Sequence, residues 1–252
     1  MIADPIFWIT AVIAVIITGI SKGGFGGLAL MAVPLMALTI SPVQAAGILL
    51  PILIVMDWTG VWAYRKHWDK RILIYMLPGA IAGIALGGLL AGYVDDRLVR
   101  TFVGLIAILF SLYAIAKQFT KTGFTVSALK NNHAAGAVAG VVAGFTSFIA
   151  HAGGPPFQAY VIPQNLETRI YAGTAVMFFF VVNFVKIMPY AMIGQFDKTN
   201  LTTSLVLIPL APVGVLIGAW LVTRINQKIF YRILYGLILI VGSKLLYDGV
   251  AA

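Results

Sequence analysis

Apolar residues follow one another along most of this 252-residue chain, and short polar segments divide them into long runs. The runs at 72–90 and 201–222 are almost uninterrupted, which favours helices over the alternating strands of a membrane β-barrel. A helix of about twenty apolar residues crosses the hydrocarbon core of a bilayer. The pattern therefore predicts an all-α polytopic membrane protein.

The same pattern predicts where the helices lie. The first half of the chain has apolar segments at 5–20, 28–40, 43–63, 72–93 and 98–117. The second half repeats the plan, with segments at 134–150, 157–163, 168–193, 201–222 and 229–247. Each half thus has two segments close together, followed by three longer ones.

A glycine-rich polar stretch separates the first two segments of each half. The first glycine break is Ser21-Lys22-Gly23-Gly24-Phe25-Gly26-Gly27, and the second runs from Thr146-Ser147 to His151-Ala152-Gly153-Gly154-Pro155-Pro156. Unpaired backbone groups cost several kcal/mol in hydrocarbon, so paired breaks indicate a buried site. A single helix over 5–40 would be about 54 Å long, which exceeds one crossing. We therefore expect each break to lie in a broken-helix hairpin or between two short crossings.

Recurring positions relate the two halves to each other. Proline and glycine positions recur at one offset, and an acidic position aligns with an amide after a small gap: Leu77-Pro78 with Ile208-Pro209, Gly83 with Gly214, Gly87 with Gly218, and Asp57 with Asn183. Chance matching among glycines and leucines is the alternative explanation. The alignment predicts a first repeat at 1–120, a linker at 121–133 and a second repeat at 134–252, which together form one transmembrane domain.

The formal net charge of +9 comes mostly from short loops. Cytoplasmic loops carry such an excess of Lys and Arg, so the charge reports orientation and we expect no nucleic-acid partner. Each half has one basic cluster. The second cluster lies one loop later in its repeat than the first. The first cluster is Arg65, Lys66, Lys70 and Arg71, and the second is Arg224, Lys228 and Arg232. If both clusters are cytoplasmic, the repeats are inverted, and both termini lie on the non-cytoplasmic side.

The breaks are suited to an anionic ligand. Amide groups at a helix N-terminus carry partial positive charge, and a helix is predicted to start after each break. Glycines let a ligand approach the backbone, and hydroxyl groups add donors. The alternative is that the glycines only permit close helix packing. The candidate binding residues within the breaks are Ser21, Gly23, Gly24, Gly26, Gly27, Thr146, Ser147, Gly153 and Gly154.

Charged and amide side chains inside the apolar runs are further candidates. Lys22 comes first, since an intramembrane cation usually faces a cavity or a partner, although it could also snorkel to the interface. Lys186, one turn from Asn183, has the same two interpretations. Asp57 is a candidate coupling site, because burial penalises the charged form of a carboxyl group. A static contact with Lys22 or a helix hydrogen bond is the alternative for Asp57.

His151 and Gln158 flank the second break and can donate hydrogen bonds to a ligand, with a structural role as the alternative for His151. Ser147 and His151 are four residues apart and share a helical face, an arrangement that an intramembrane hydrolase could use. However, no recognisable nucleophile motif surrounds Ser147, and the first break has no equivalent pair. We therefore expect no catalytic residue, no cofactor and no metal.

The two breaks resemble those of a known family. Gly19-x-x-Lys22-Gly23-Gly24-x-Gly26-Gly27 leading to Pro34-Leu35-Met36, together with His151-x-Gly153-Gly154-Pro155, resembles the TauE/SafE family of sulfite and organosulfonate exporters. The resemblance covers nearly the whole chain. It implies a bacterial-type inner-membrane permease for sulfur-containing oxyanions such as sulfite or sulfoacetate, and it supplies no list of site residues.

The residues and the resemblance predict the same function. Inverted repeats, broken helices and a midplane site between them are the plan of secondary transporters. We therefore expect a secondary anion transporter with alternating access about a site between the two breaks. A passive anion channel uses the same helix ends and is the main alternative. The expected partners are a small anion, the lipid bilayer and a second copy of the chain in a homodimer.

Overall fold

The computed structural model describes residues 2–22, 28–91, 93–119, 132–222, 224 and 227–251. Every regular element within these ranges is helical. Seven of the helices found there are long and apolar enough to cross a membrane, and a bent pair of shorter helices makes an eighth. The predicted all-α polytopic fold is confirmed.

The helices follow the apolar runs closely. They are α1 (Pro5–Lys22), α2 (Ala32–Met36) after a 3₁₀ turn at Leu28–Met31, α3 (Pro42–Tyr64), α4 (Lys70–Ala91), α5 (Asp96–Phe119), α6 (His133–Ala150), α7 (Gly154–Val161), α8 (Thr168–Met192), α9 (Lys198–Leu207), α10 (Leu210–Val222) and α11 (Gln227–Ala251).

Two predicted segments are interrupted in the structure. The segment at 28–40 holds only the 3₁₀ turn and the short α2, and the segment at 201–222 divides into α9 and α10, which meet at an angle of 43°. Pro209 lies at this bend, where it lacks the amide that would continue the helix. The expectation of one helix in each of these segments was therefore wrong.

The chain forms two compact units, and each draws on both halves of the sequence. Unit 1 comprises residues 1–52, 94–123 and 195–252, and unit 2 comprises residues 53–93 and 124–194. The boundary passes through α3, between Ile52 and Leu53. The units therefore do not coincide with the proposed repeats, and the division at 1–120, 121–133 and 134–252 stays a prediction.

Close helix pairs hold unit 1 together, with α1 packed on α10 and α5 packed on α11. Gly19 and Gly214 lie so near each other that a Cβ atom on either would meet the backbone of the opposite helix. Small residues allow helices in membranes to approach in this way. The guanidinium of Arg100 on α5 donates to the carbonyls of Ala37 (2.5 Å) and Ile40 (3.0 Å), which ties down the end of α2.

In unit 2, α4 packs against α6 and α8, and α6 and α7 form a helical hairpin. At the α4–α6 contact, a Cβ atom on Gly83 or Gly144 would meet a backbone carbonyl of the other helix. The hairpin is antiparallel, because Gly153 lies against Ser147 while Tyr160 lies against Gly136 near the start of α6. The second glycine break is the turn of this hairpin.

Candidate functional site

The second glycine break ends α6 through the backbone of His151. This residue has a φ of 52°, in the left-handed region that non-glycine residues seldom adopt, and its amide donates to the carbonyl of Ser147 (3.0 Å). The amide of Ala152 donates to the carbonyl of Thr146 (3.2 Å). These two bonds satisfy carbonyls at the end of α6. They turn the chain towards α7, which starts at Gly154.

Lys186 on α8 reaches this break from the side. Its Nζ donates to the carbonyl (3.2 Å) and the hydroxyl (3.1 Å) of Ser147, and it lies 2.6 Å from Nδ1 of His151. The side chain of Lys186 is 0 % exposed and that of Ser147 is 2 % exposed. The structure thus brings together three sequence candidates from α6, its C-terminal cap and α8.

The ammonium group of Lys186 lies at the C-terminal end of α6, where a positive charge stabilises the helix. The last carbonyls of a helix carry partial negative charge, which a nearby cation stabilises. Lys186 bonds to the carbonyl of Ser147, and the hydroxyl of Tyr190, one turn further along α8, donates to the carbonyl of Phe148 (2.5 Å). Lys186 therefore supports the end of α6 and also places a buried positive charge at the break.

A second buried polar pair lies one turn away on α8. Asn183 donates from Nδ2 to Oδ2 of Asp57 at 2.6 Å, and both side chains are buried. Asp57 and Lys186 are the charged side chains buried within the described ranges. The sequence weighed a coupling role, a contact with Lys22 or a helix hydrogen bond for Asp57. The structure pairs its carboxylate with Asn183, the residue that aligns with it in the other half, and the coupling role stays a prediction.

Two further candidates of the second break are Thr146 and Gln158. The hydroxyl of Thr146 lies 2.7 Å from the carbonyl of Val142 and 3.1 Å from that of Ala152, so it helps to hold the turn. Gln158 is half-buried on α7.

Only part of the α7 N-terminus can donate to a ligand. Residues 155 and 156 are prolines without an N–H, and the amide of Phe157 donates to the carbonyl of Gly153 (3.2 Å). Within the described part of this turn, the amides of Gly153 and Gly154 are the ones left to face a ligand. Apart from its own chain neighbours and helix backbone, no atom of the described residues lies within 4 Å of the position that a Cβ atom on Gly154 would take.

Comparison with known proteins identifies the family of this chain. The model of the sulfite exporter TauE/SafE family matches residues 11–245. The chain belongs to this family. Its members are membrane transporters of sulfite and related anions rather than enzymes, in agreement with the apolar helices described above. The searches of curated proteins and of solved structures gave no match.

Of the first break of this TauE/SafE protein, the structure describes Ser21 and Lys22, which lie in unit 1. Ser21 and Lys22 are the last two residues of α1, where Ser21 is partly buried and Lys22 is exposed. Gly23, Gly24, Gly26 and Gly27 lie outside the described residues. Their part in binding stays a prediction from the sequence.

The sequence identified both Lys22 and Lys186 as candidates and ranked Lys22 first, but in the structure Lys186 is the buried one and Lys22 is exposed. It placed Lys186 within reach of the interface, where the side chain could snorkel, whereas the structure encloses the ammonium group in protein. One signal was available in the sequence. Asn183 and Lys186 are three residues apart, so they share a helical face, and the aligned position of Asn183 is the buried Asp57.

Proposed function

We propose that this TauE/SafE protein is a secondary transporter of small sulfur-containing oxyanions such as sulfite or sulfoacetate, and that the second glycine break binds the anion. The observation that carries the proposal is the buried ammonium of Lys186 beside an unwound stretch of backbone. Ionisable groups inside membrane proteins usually mark a substrate or ion pathway. The amides of Gly153 and Gly154 and the hydroxyl of Ser147 add donors at the same place.

The donor chemistry of the break favours an oxyanion over a cation or a neutral solute. An ammonium group and backbone amides only donate hydrogen bonds, and hydrogen bonds to charged groups are the stronger ones. Ser147 accepts from Lys186 at its hydroxyl oxygen, which leaves the hydroxyl proton to be donated elsewhere. Sulfite and sulfonates present three oxygen acceptors on one sulfur atom, and several donors of the break can bind them together.

Helix packing supports the proposed duplication, which secondary transporters commonly have. Unit 1 packs α1, the helix before the first break, against α10, and unit 2 packs α6, the helix before the second break, against α4. Gly83 on α4 and Gly214 on α10 are aligned in the two halves. Each lies against the helix that precedes a break, α6 for Gly83 and α1 for Gly214. The same kind of contact thus recurs with the roles of the halves exchanged.

Binding can be tested with purified protein by thermal shift against sulfite, sulfoacetate, sulfate, phosphate and acetate. A ligand that binds only the folded state at a concentration of 100 Kd stabilises it by about 2.7 kcal/mol. We expect sulfite or sulfoacetate to raise the melting temperature of the wild type. We expect Lys186→Met to weaken that affinity roughly 10- to 100-fold, because the variant loses the buried positive charge beside the anion, while the three donors of the ammonium group are already bonded to Ser147 and His151.

The matched control is Lys244→Met, because Lys244 is an exposed lysine that forms an ion pair with Asp248 on the surface of α11. This control should leave the ligand-induced shift unchanged. Equal shifts in the wild type and in Lys186→Met would remove Lys186 from the site. A response to none of the sulfur oxyanions would contradict the proposed substrate class.

A hydrolase and a passive channel predict other results. In the hydrolase, a base must take the proton of Ser147, but a charged Lys186 donates to that hydroxyl, and Nδ1 of His151 faces Lys186. Chemical analysis of the recovered anion distinguishes a hydrolase from a transporter, since a transporter returns the anion unchanged. A channel would give conductance that neither saturates nor supports exchange.

A further inference from the structure

The contact between Lys186 and His151 links the charge of the lysine to the protonation state of the histidine ring. Nζ and Nδ1 are 2.6 Å apart, and an ammonium group has donors but no acceptor. With Lys186 charged, Nδ1 of His151 accepts, and the ring is then neutral with its single proton on Nε2. His151 is partly buried, at the edge of the break, while Lys186 is fully buried.

A second proton on this ring would disrupt the contact. The only nitrogen left to take it is Nδ1, which faces the ammonium group. Two positive charges at that separation repel each other strongly inside a protein. Protonation of His151 therefore has to separate the ring from Lys186, which can still bond to the two oxygens of Ser147.

The other titratable groups on the helices around α6 lie elsewhere or have their own partners. Tyr75 of α4 stacks on His133 (3.9 Å between ring centroids), and Tyr160 of α7 lies against Gly136, both at the opposite end of α6. On α8, Tyr190 donates to Phe148. Asp57 of α3 accepts from Asn183. The remaining titratable groups on these helices are Tyr64, Lys70, Arg71, Arg169 and Tyr171, and the ring of Tyr171 lies 6.3 Å from that of Phe157 on α7.

We propose that His151 binds the proton that moves together with the transported anion, and that Lys186 couples the two binding events; this rests on the proposed anion site. An anion at the break offsets the second positive charge, so it favours protonation of His151. By linkage, protonation of His151 strengthens anion binding by the same factor. The predicted mechanism is proton–anion symport, with the coupling proton on His151 rather than on Asp57.

The first experiment reads the ring directly and needs no substrate. The chain has three histidines, so ¹⁵N-histidine NMR of the full-length protein can assign His151 by comparison with His151→Asn. We expect the Nε2–H tautomer in the wild type. In Lys186→Gln, which lacks the neighbouring positive charge, we expect the ring signals of His151 to respond differently to pH. The Nδ1–H tautomer in the wild type would overturn the proposal, whether or not the variant folds.

The second experiment tests coupling in proteoliposomes with labelled sulfoacetate, whose acidic groups stay ionised near neutral pH. We expect a pH gradient to drive accumulation by the wild type. His151→Asn keeps an acceptor at the δ position and suits the left-handed backbone, but it cannot be protonated. The sulfoacetate uptake that remains in this variant, whatever its rate, should not respond to the pH gradient. His133→Asn, on the same helix, is the control and should behave as the wild type.

The outcomes separate this inference from the proposed function. If the wild type moves sulfoacetate and His151→Asn still responds to the pH gradient, His151 does not carry the coupling proton. If the wild type moves no sulfur oxyanion, the proposed function fails, and the NMR titration still decides whether Lys186 controls the protonation of His151.

Discussion

At the scale of residues, the account depends on which lysine is enclosed by protein. Sequence spacing placed Ser147 with His151 on one helical face and Asn183 with Lys186 on another. Spacing cannot show that these two faces meet, because the contact joins residues 39 positions apart and depends on how α8 packs. For that reason the sequence identified the members of the cluster but ranked Lys22 above Lys186.

The Asp57–Asn183 pair gives a prediction about stability. Asp57→Leu removes the acceptor of a buried amide, and a buried polar group left unsatisfied costs about 1–3 kcal/mol. Asp57→Asn keeps an oxygen that can accept from Asn183. We expect a clearly lower melting temperature for Asp57→Leu than for Asp57→Asn, measured in the same detergent. Equal melting temperatures would mean that the hydrogen bond contributes little.

At the scale of elements, the hydrophobic pattern predicts the long helices well and their breaks less well. Leu77-Pro78 lies inside the continuous helix α4, whereas Ile208-Pro209 separates α9 from α10. The two dipeptides look alike in sequence. A proline frees a carbonyl and crowds the preceding turn, and whether the helix continues depends on what surrounds it. That environment is tertiary, so the bend at Pro209 could not be predicted.

The glycines between α4 and α6 give a prediction at this scale. A Cβ atom on Gly83 would collide with the carbonyl of Val141, so Gly83→Ala must push the helices apart. Overpacking a tight contact typically costs about 1–3 kcal/mol. Gly236→Ala on α11 is the control, because among the described residues no atom outside its own stretch of helix lies within 4 Å of the added methyl group.

We expect Gly83→Ala to lower the melting temperature and the yield of folded protein, and Gly236→Ala to change neither. Tolerance of alanine at both positions would argue against the close packing of α4 on α6.

At the scale of the whole molecule, membership of the TauE/SafE family and the membrane-spanning helices agree with the fold class that the sequence predicts. Loop charge alone determines the predicted orientation, in which both termini are non-cytoplasmic and the repeats are inverted. Inversion is also what distinguishes the proposed alternating-access plan from a simple helix bundle. The orientation of the loops is therefore the property of the whole chain to measure.

Single cysteines can measure it, because the natural chain has none. Lys66→Cys marks the basic loop after α3, and Lys198→Cys marks the nearly neutral loop before α9. In intact cells, a membrane-impermeant maleimide should label Lys198→Cys and not Lys66→Cys, and inside-out vesicles should reverse the result. Labelling of both positions from one side would contradict the inverted arrangement.

We propose the α6–α7 break with Lys186 as the anion site of a transporter. The most direct test of this proposal is uptake of labelled sulfite and sulfoacetate by proteoliposomes containing the wild type, Lys186→Met or Lys244→Met. We expect saturable uptake of intact anion by the wild type and by Lys244→Met, and a loss of at least about tenfold in Lys186→Met. Undiminished uptake by correctly folded Lys186→Met would contradict it.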